Sequence, residues 1–343
     1  MAFNVLYAIV AMAVSFTVSF IATRYWIPLA KSKGLVGKDM NKPGNVMVAE
    51  AGGVWAIIGA CFGLLVLEAL YRYIVGSYYH AAEVFALAAM LILSGFLGFL
   101  DDILGWKKGL PRWQRVVFMA PISIPLVVIK AGVSKVELPL VGVIDLGILY
   151  PLLAVPIGVL GAANAFNIIG GFNGLEAGMG ILLMVFTAIY CYVKHLTLPL
   201  YASLIMASSL LGFIVYNWYP ARVFPGNSLT YGVGAYYAGI VILGNFEKFG
   251  LLLFTLYFVK FALYLRGVIA RVWGQGYEDF GVPDSRGCLS SPFKRVYSLQ
   301  HWIIMLLSRR LECVREYHVV ASILALQAII GVASLLLALY HVV

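Results

Sequence analysis

Charge is what this chain has least of. Charged residues make up 11% of its 343 positions against 62% hydrophobic ones, and the mean hydropathy is +0.94. Soluble domains carry about a quarter charged residues, so the polar surface here is too small to cover a globule in water, and a bilayer is the matching solvent. Cysteine is also sparse. Cys61, Cys191, Cys288 and Cys313 are scattered without a CxxC pair, a pattern that reads as neither a disulfide framework nor a zinc site. Acidic residues number 15 against 24 basic ones, a net charge of +9. The basic residues lie between apolar runs, as loop charges that orient a membrane protein do, which argues against a nucleic-acid binder. No basic stretch precedes the first apolar run, and that run is long enough to span, so it reads as a first membrane helix and not as a cleaved signal. Internal repeats and low-complexity segments are lacking too.

What is present is a succession of apolar runs. Membrane helices are expected near 3–30, 54–75, 84–100, 116–130, 149–166, 178–193, 196–216, 230–244, 249–265 and 318–341, although a full span takes about 20 residues and the fourth, sixth and eighth runs are short. Ten helices put both termini on one side. The loops then carry 18 Lys and Arg on one face and 5 on the other, with Lys260 inside the ninth run. By the positive-inside rule the richer face is cytoplasmic. On the other face, 135–147 alternates around Gly142 like a small β-hairpin. The longest polar stretch, 266–317, is a cytoplasmic loop between the ninth and tenth helices, and Tyr297–Leu307 within it suits an interfacial amphipathic helix. The fold class expected is therefore an all-α integral membrane protein, a single polytopic domain of about ten transmembrane helices with a small extracytoplasmic β-hairpin.

Four polar clusters fall at the cytoplasmic ends of these helices. Asp101 and Asp102 end the third, and adjacent carboxylates at a membrane boundary require a cation, a proton or a basic partner. Asn164, Asn167, Asn173 and Glu176 stand among the glycines of 164–178. Amide oxygens are hard ligands suited to Mg²⁺, and without Lys or Arg this is not a nucleoside-triphosphatase phosphate loop. Residues 216–228 join aromatics, Arg222 and a Phe-Pro-Gly-Asn turn. Residues 37–53 carry Asp39, Asn41, Lys42 and Glu50. Taken singly, a solvated helix-end pair, a plain cap turn and an aromatic belt remain open readings. The convergence of four separated stretches on one face is the stronger signal.

In these stretches the chain resembles the polyprenyl-phosphate N-acetylhexosamine-1-phosphate transferases, in particular the dolichyl-phosphate N-acetylglucosamine-phosphotransferase branch in an archaeal-type form. The likeness is carried by Asn164–Gly178, Tyr216–Asn227, Gly98–Asp102 and Asp39–Gly53, in family order from about residue 35 to 265. It implies transfer of N-acetylhexosamine-1-phosphate, foremost GlcNAc-1-phosphate, from a UDP-sugar to polyprenyl or dolichyl phosphate with release of UMP. That is the first membrane step of lipid-linked glycan synthesis, performed from the cytoplasmic side of a prokaryotic plasma membrane. It implies Mg²⁺, with Mn²⁺ as substitute, held by Asn167 and Asn227, where the family has an aspartate at the second position. Asp101 is implied as the catalytic carboxylate acting on the lipid phosphate, with Asp102 supporting it. Arg115 stands in for a family lysine, Glu50 near the nucleotide, Phe224 under the uracil and Asn173 as its hydrogen-bond partner. Arg271, Arg286 and His318 are the remaining substrate-binding candidates, although the 266–290 loop does not align with the eukaryotic Arg-rich run. The expected partners are the UDP-sugar, the lipid phosphate, the bilayer and a second copy in a homodimer, with no nucleic acid. The competing class is a secondary transporter, which would place its polar residues at the bilayer midplane and often shows a repeat.

Overall fold

The computed structural model describes residues 5–104, 119–138, 142–270 and 279–340. Arg115 and Arg271 lie outside them. Helices dominate. In order they are α1 (Val5–Ser32), α2 (Gly53–Leu70, continued by a π-helical turn to Val75), α3 (Ala81–Ile103), the short α4 (Ile124–Val128), α5 (Val155–Ile168), α6 (Leu175–Val193), α7 (Thr197–Asn217), α8 (Gly226–Gly244), α9 (Glu247–Leu253), α10 (Thr255–Ile269), α11 (Leu299–Leu307) and α12 (Glu316–Leu339). Three two-stranded antiparallel ribbons complete the description: β1 (Val36–Lys38) with β2 (Met47–Ala49), β3 (Lys135–Leu138) with β4 (Gly142–Asp145), and β5 (Val282–Pro283) with β6 (Leu289–Ser290). The β3–β4 ribbon is the hairpin expected at 135–147, and α11 falls within Tyr297–Leu307.

Seven helical segments among the described residues are long and apolar enough to cross a membrane, or eight if α9 and α10, bent by 58°, count as one span. The expected ten is not reached on this measure, and two of the expected runs account for the difference. The run at 116–130 is described only from 119, where a 3-10 turn leads into five-residue α4. The other is α8, which is rich in Gly and Tyr and sits at the centre of the bundle against α2, α3, α5 and α7. A helix surrounded by helices needs small residues for close approach more than it needs hydropathy. A methyl group at Gly234 would come within 2.5 Å of the Ala162 carbonyl of α5. The outward faces of α1 and α3, by contrast, expose Leu6, Ile9, Ile21, Phe85, Ile92 and Phe96, the apolar exterior of a protein in lipid.

The cysteine reading is corrected by the structure: Cys288 and Cys313 form a disulfide. Their separation of 25 residues shows no spacing motif. They meet because β6 hydrogen bonds to the segment before α12, where the Leu289 N–H donates to the Val314 carbonyl at 2.7 Å. Cys61 and Cys191 are free and buried.

Candidate active site

Asp101 and Asp102 sit on the last turn of α3, where α3 crosses the start of α8. Gly98 permits the crossing, because a Cβ there would lie 2.4 Å from Ser228 Cα. One turn later the two carboxylates part company. Asp102 Oδ1 accepts from the Asn227 N–H at 2.7 Å, and its Oδ2 accepts from the Ser228 N–H at 3.3 Å. It thus satisfies the otherwise orphaned donors at the N-terminus of α8, where negative charge is favoured. Gly226, at φ +67°, brings the backbone to this carboxylate, and a Cβ there would meet Asp102 Oδ2 at 2.3 Å. Asp101, 4% exposed, faces side chains. Its Oδ2 accepts from Asn227 Nδ2 at 2.8 Å. Asn227 Oδ1 in turn accepts from Asn167 Nδ2 at 2.7 Å, and Asn167 Nδ2 also reaches Thr230 Oγ1 at 2.7 Å. The two asparagines singled out as metal ligands are therefore in direct contact with each other, and Asn227 is in contact with the candidate catalytic carboxylate.

A second pole lies around Asn173. Its Nδ2 donates to Asp39 Oδ2 at 3.0 Å and its backbone N–H to Glu316 Oε1 at 2.7 Å. Lys42 bridges Asp39, at 3.2 Å, and Glu316, with its ammonium over the Tyr219 ring. Burial pulls the Lys42 pKa down, but the Glu316 and Asp39 carboxylates outweigh it and the net shift is upward. Asn41 Nδ2 donates to the Gly171 carbonyl at 2.8 Å, and Asn41 Oδ1 accepts from the Gly281 N–H at 3.0 Å.

The poles are joined through β2. The Phe224 N–H donates to the Ala49 carbonyl at 2.7 Å, and the Gly52 N–H donates to the Phe224 carbonyl at 3.0 Å. Phe224 and Glu50 are thereby held beside the start of α2, both half-buried. Burial raises the Glu50 carboxyl to about 7. All four stretches singled out in the sequence are thus hydrogen bonded into one assembly.

Two described candidates stand apart from it. Arg286 is exposed and bonds Asp284, two residues away, at 3.3 Å. His318 Nδ1 accepts from the Arg315 N–H at 3.1 Å and caps α12. Three contributors escaped the sequence reading. Thr230 lies one turn from Asn227 on the same helical face, a spacing that marks a neighbour. Glu316 is the partner of both Lys42 and Asn173. Lys260, 1% exposed, bonds Asp279, Ser298 Oγ and Gln300 Oε1, and Gln300 Nε2 donates to the Ile169 carbonyl at 2.7 Å. The signal for Lys260 was available, since a lone cation in an apolar run is a functional or structural anchor by default.

No group of three or more His, Cys, Asp or Glu that could hold a metal occurs among the described residues. Asn167, Asn227 and Asp101 nevertheless carry oxygen donors, two amides and a carboxylate, and a metal bound there would replace the hydrogen bonds that now join them. Such donors suit Mg²⁺, which keeps waters and is bound by one or two carboxylates together with substrate phosphates.

An oxygen-lined polar assembly at the ends of packed apolar helices defines a helical membrane protein with a buried polar site. The Glycosyl transferase family 4 pattern matches residues 84–245. A Saccharolobus solfataricus protein provisionally named UDP-N-acetylglucosamine–dolichyl-phosphate N-acetylglucosaminephosphotransferase is 34% identical over 97% of this chain and 98% of its own. The Schizosaccharomyces pombe protein of that name is 31% identical over 67% of this chain and 60% of its own. A phospho-N-acetylmuramoyl-pentapeptide-transferase of Lactiplantibacillus plantarum is 30% identical over 66% and 71%. The chain belongs to glycosyl transferase family 4.

Proposed function

We propose that this chain transfers GlcNAc-1-phosphate from UDP-GlcNAc to a polyprenyl or dolichyl phosphate in the membrane, releasing UMP. The observation that carries the reading is the contact of Asp101, Asn227 and Asn167 beneath four motifs drawn together from separate parts of the chain. In the reaction an oxygen of the lipid phosphate forms a bond to the β-phosphorus of the UDP-sugar. The bond from that phosphorus to the bridging oxygen breaks, and UMP leaves with the electron pair. A bound Mg²⁺, held by Asn167 and Asn227, would offset the charge of the pyrophosphate. Asp101 receives and orients the lipid phosphate. Asp102 fixes the first turn of α8 and hence Asn227. Phe224 stacks on the uracil, and Asn173 hydrogen bonds it. Arg115 and Arg271 supply positive charge from the loops, with Glu50 bordering the substrate. The site faces the cytoplasm of a prokaryote, on the basic side of the chain. A transporter is not favoured, because the polar assembly lies at helix ends and the relatives that match the chain are named as transferases.

The test is incubation of the purified protein with UDP-[¹⁴C]GlcNAc, polyprenyl phosphate and Mg²⁺. Label extracted into organic solvent, with UMP in the aqueous phase, is expected. Label that stays entirely aqueous would overturn the proposal.

A further inference from the structure

An asparagine side chain has two ends of nearly the same shape, one donor and one acceptor. Whichever end the protein holds decides which end a ligand meets. At Asn173 the protein holds the donor end, since Nδ2 donates to Asp39 Oδ2. A carboxylate can only accept, and every described group hydrogen bonded or ion-paired to the Asp39 carboxylate is a donor: the Asn173 amide, Lys42 Nζ at 3.2 Å from the same oxygen, and the Asn41 N–H at 3.2 Å from Oδ1. Asp39 and Asn173 are 3% and 4% exposed, so water cannot substitute for a lost partner. The backbone of Asn173 is pinned as well, by Glu316, and Glu316 is tied through Lys42 back to Asp39. Flipping the amide would set two electron-rich oxygens against each other at hydrogen-bond distance, inside a buried cluster. The amide is therefore locked with Oδ1 as its remaining functional atom, and among the described residues Oδ1 accepts no hydrogen bond.

We infer that Asp39 is a positioning residue that sets base selectivity. By fixing the polarity of the Asn173 amide it makes the base site an acceptor. That matches uracil, whose N3–H is a donor, and rejects cytosine, whose N3 is an acceptor. The inference rests on the proposed reading of Asn173 as the base contact and adds the reason the site reads uridine and not cytidine nucleotides.

The experiment is calorimetric binding of UMP and CMP to the full-length protein in detergent. Wild type is expected to favour UMP by about 10–100-fold, the factor for one mismatched buried hydrogen bond. Asp39→Asn is isosteric but can donate to Asn173 Oδ1, so the amide is released and the UMP:CMP ratio falls toward one. Asp39→Ser, with a hydroxyl that both donates and accepts, gives the same result by a second route should Asp39→Asn fail to fold. Equal UMP and CMP affinities in wild type overturn the inference. So does a wild-type ratio in a folded, UMP-binding Asp39 variant. Failure of wild type to bind UMP at all would instead remove the underlying nucleotide reading, and the inference with it.

Discussion

At the scale of single residues, the adjacent aspartates have different work. Asp102 is committed to two backbone N–H groups of α8, whereas Asp101 meets the amide of Asn227. Asp101→Asn is therefore expected to lower turnover by about 10²-fold, the low end of the range for a catalytic carboxylate, with UDP-GlcNAc affinity and melting temperature near wild type. Asp102→Asn is expected to cost about 1–2 kcal/mol of stability through the lost charged cap. Initial rate, nucleotide affinity and melting temperature on the same preparations separate the two. A folded, nucleotide-binding Asp101→Asn protein with a normal rate would remove that residue from the mechanism. Asn227 donates to Asp101, and an aspartate in its place would set two carboxylates about one hydrogen bond apart. Asn227→Asp should bind Mg²⁺ more tightly and keep or raise activity, with a melting temperature that drops in EDTA and returns with Mg²⁺; indifference to EDTA would contradict a metal site here. Glu50 supplies the pH dependence. Its carboxyl is raised by burial from 4.5 to about 7, so the folded protein holds this proton more tightly than the unfolded chain does. The associated stability is fully present below pH 4.5 and is lost as pH rises through about 7. Between pH 4.5 and 7 the melting temperature should decline more steeply in wild type than in Glu50→Gln, by roughly the titration of one group, and above about 7 the two profiles should run parallel.

At the scale of elements, the site depends on how helix ends meet. The α3–α8 crossing at Gly98 brings the aspartates to Asn227, while β2 and the turn before α8 exchange backbone hydrogen bonds that hold Phe224 beside Glu50. The β5–β6 ribbon reaches the segment before α12 through Leu289 and the Cys288–Cys313 bond, and α12 opens with Glu316, the partner of Lys42 and Asn173. Closing a loop of this length is worth about 3 kcal/mol on the chain-entropy account. Cys288→Ser is accordingly expected to lower the melting temperature measurably under oxidising conditions, and wild type treated with dithiothreitol should match it. Identical melting curves for the two proteins would show that the bond adds no stability.

At the scale of the whole molecule, seven or eight helices qualify as spans, and the orientation proposed for them follows from the 18-to-5 division of basic residues. Lys38 is exposed between β1 and the Asp39 cluster. Lys38→Cys in a background without other reactive thiols should resist an impermeant maleimide in intact cells and react fully after permeabilisation. Labelling from outside would reverse the topology and place the site on the wrong side for a cytoplasmic UDP-sugar.

The sequence by itself determined the solvent, the helical class and most helix positions, because hydropathy and the length of a span are properties of contiguous residues. It also marked the polar stretches that the fold brings together, since Asp101, Asn167, Asn173 and the Phe224 turn stand out against an apolar background. Only the tertiary structure decided the division of labour between Asp101 and Asp102, the direction of the Asn173 amide and the pairing of Lys42 with Glu316, 274 positions away. It likewise decided the Cys288–Cys313 bond and the central burial of α8. Each of these depends on which groups from distant parts of the chain come within about 3 Å of each other. A pattern of neighbours along the chain does not encode that distance, whereas helix packing and the requirement to satisfy every buried polar group do.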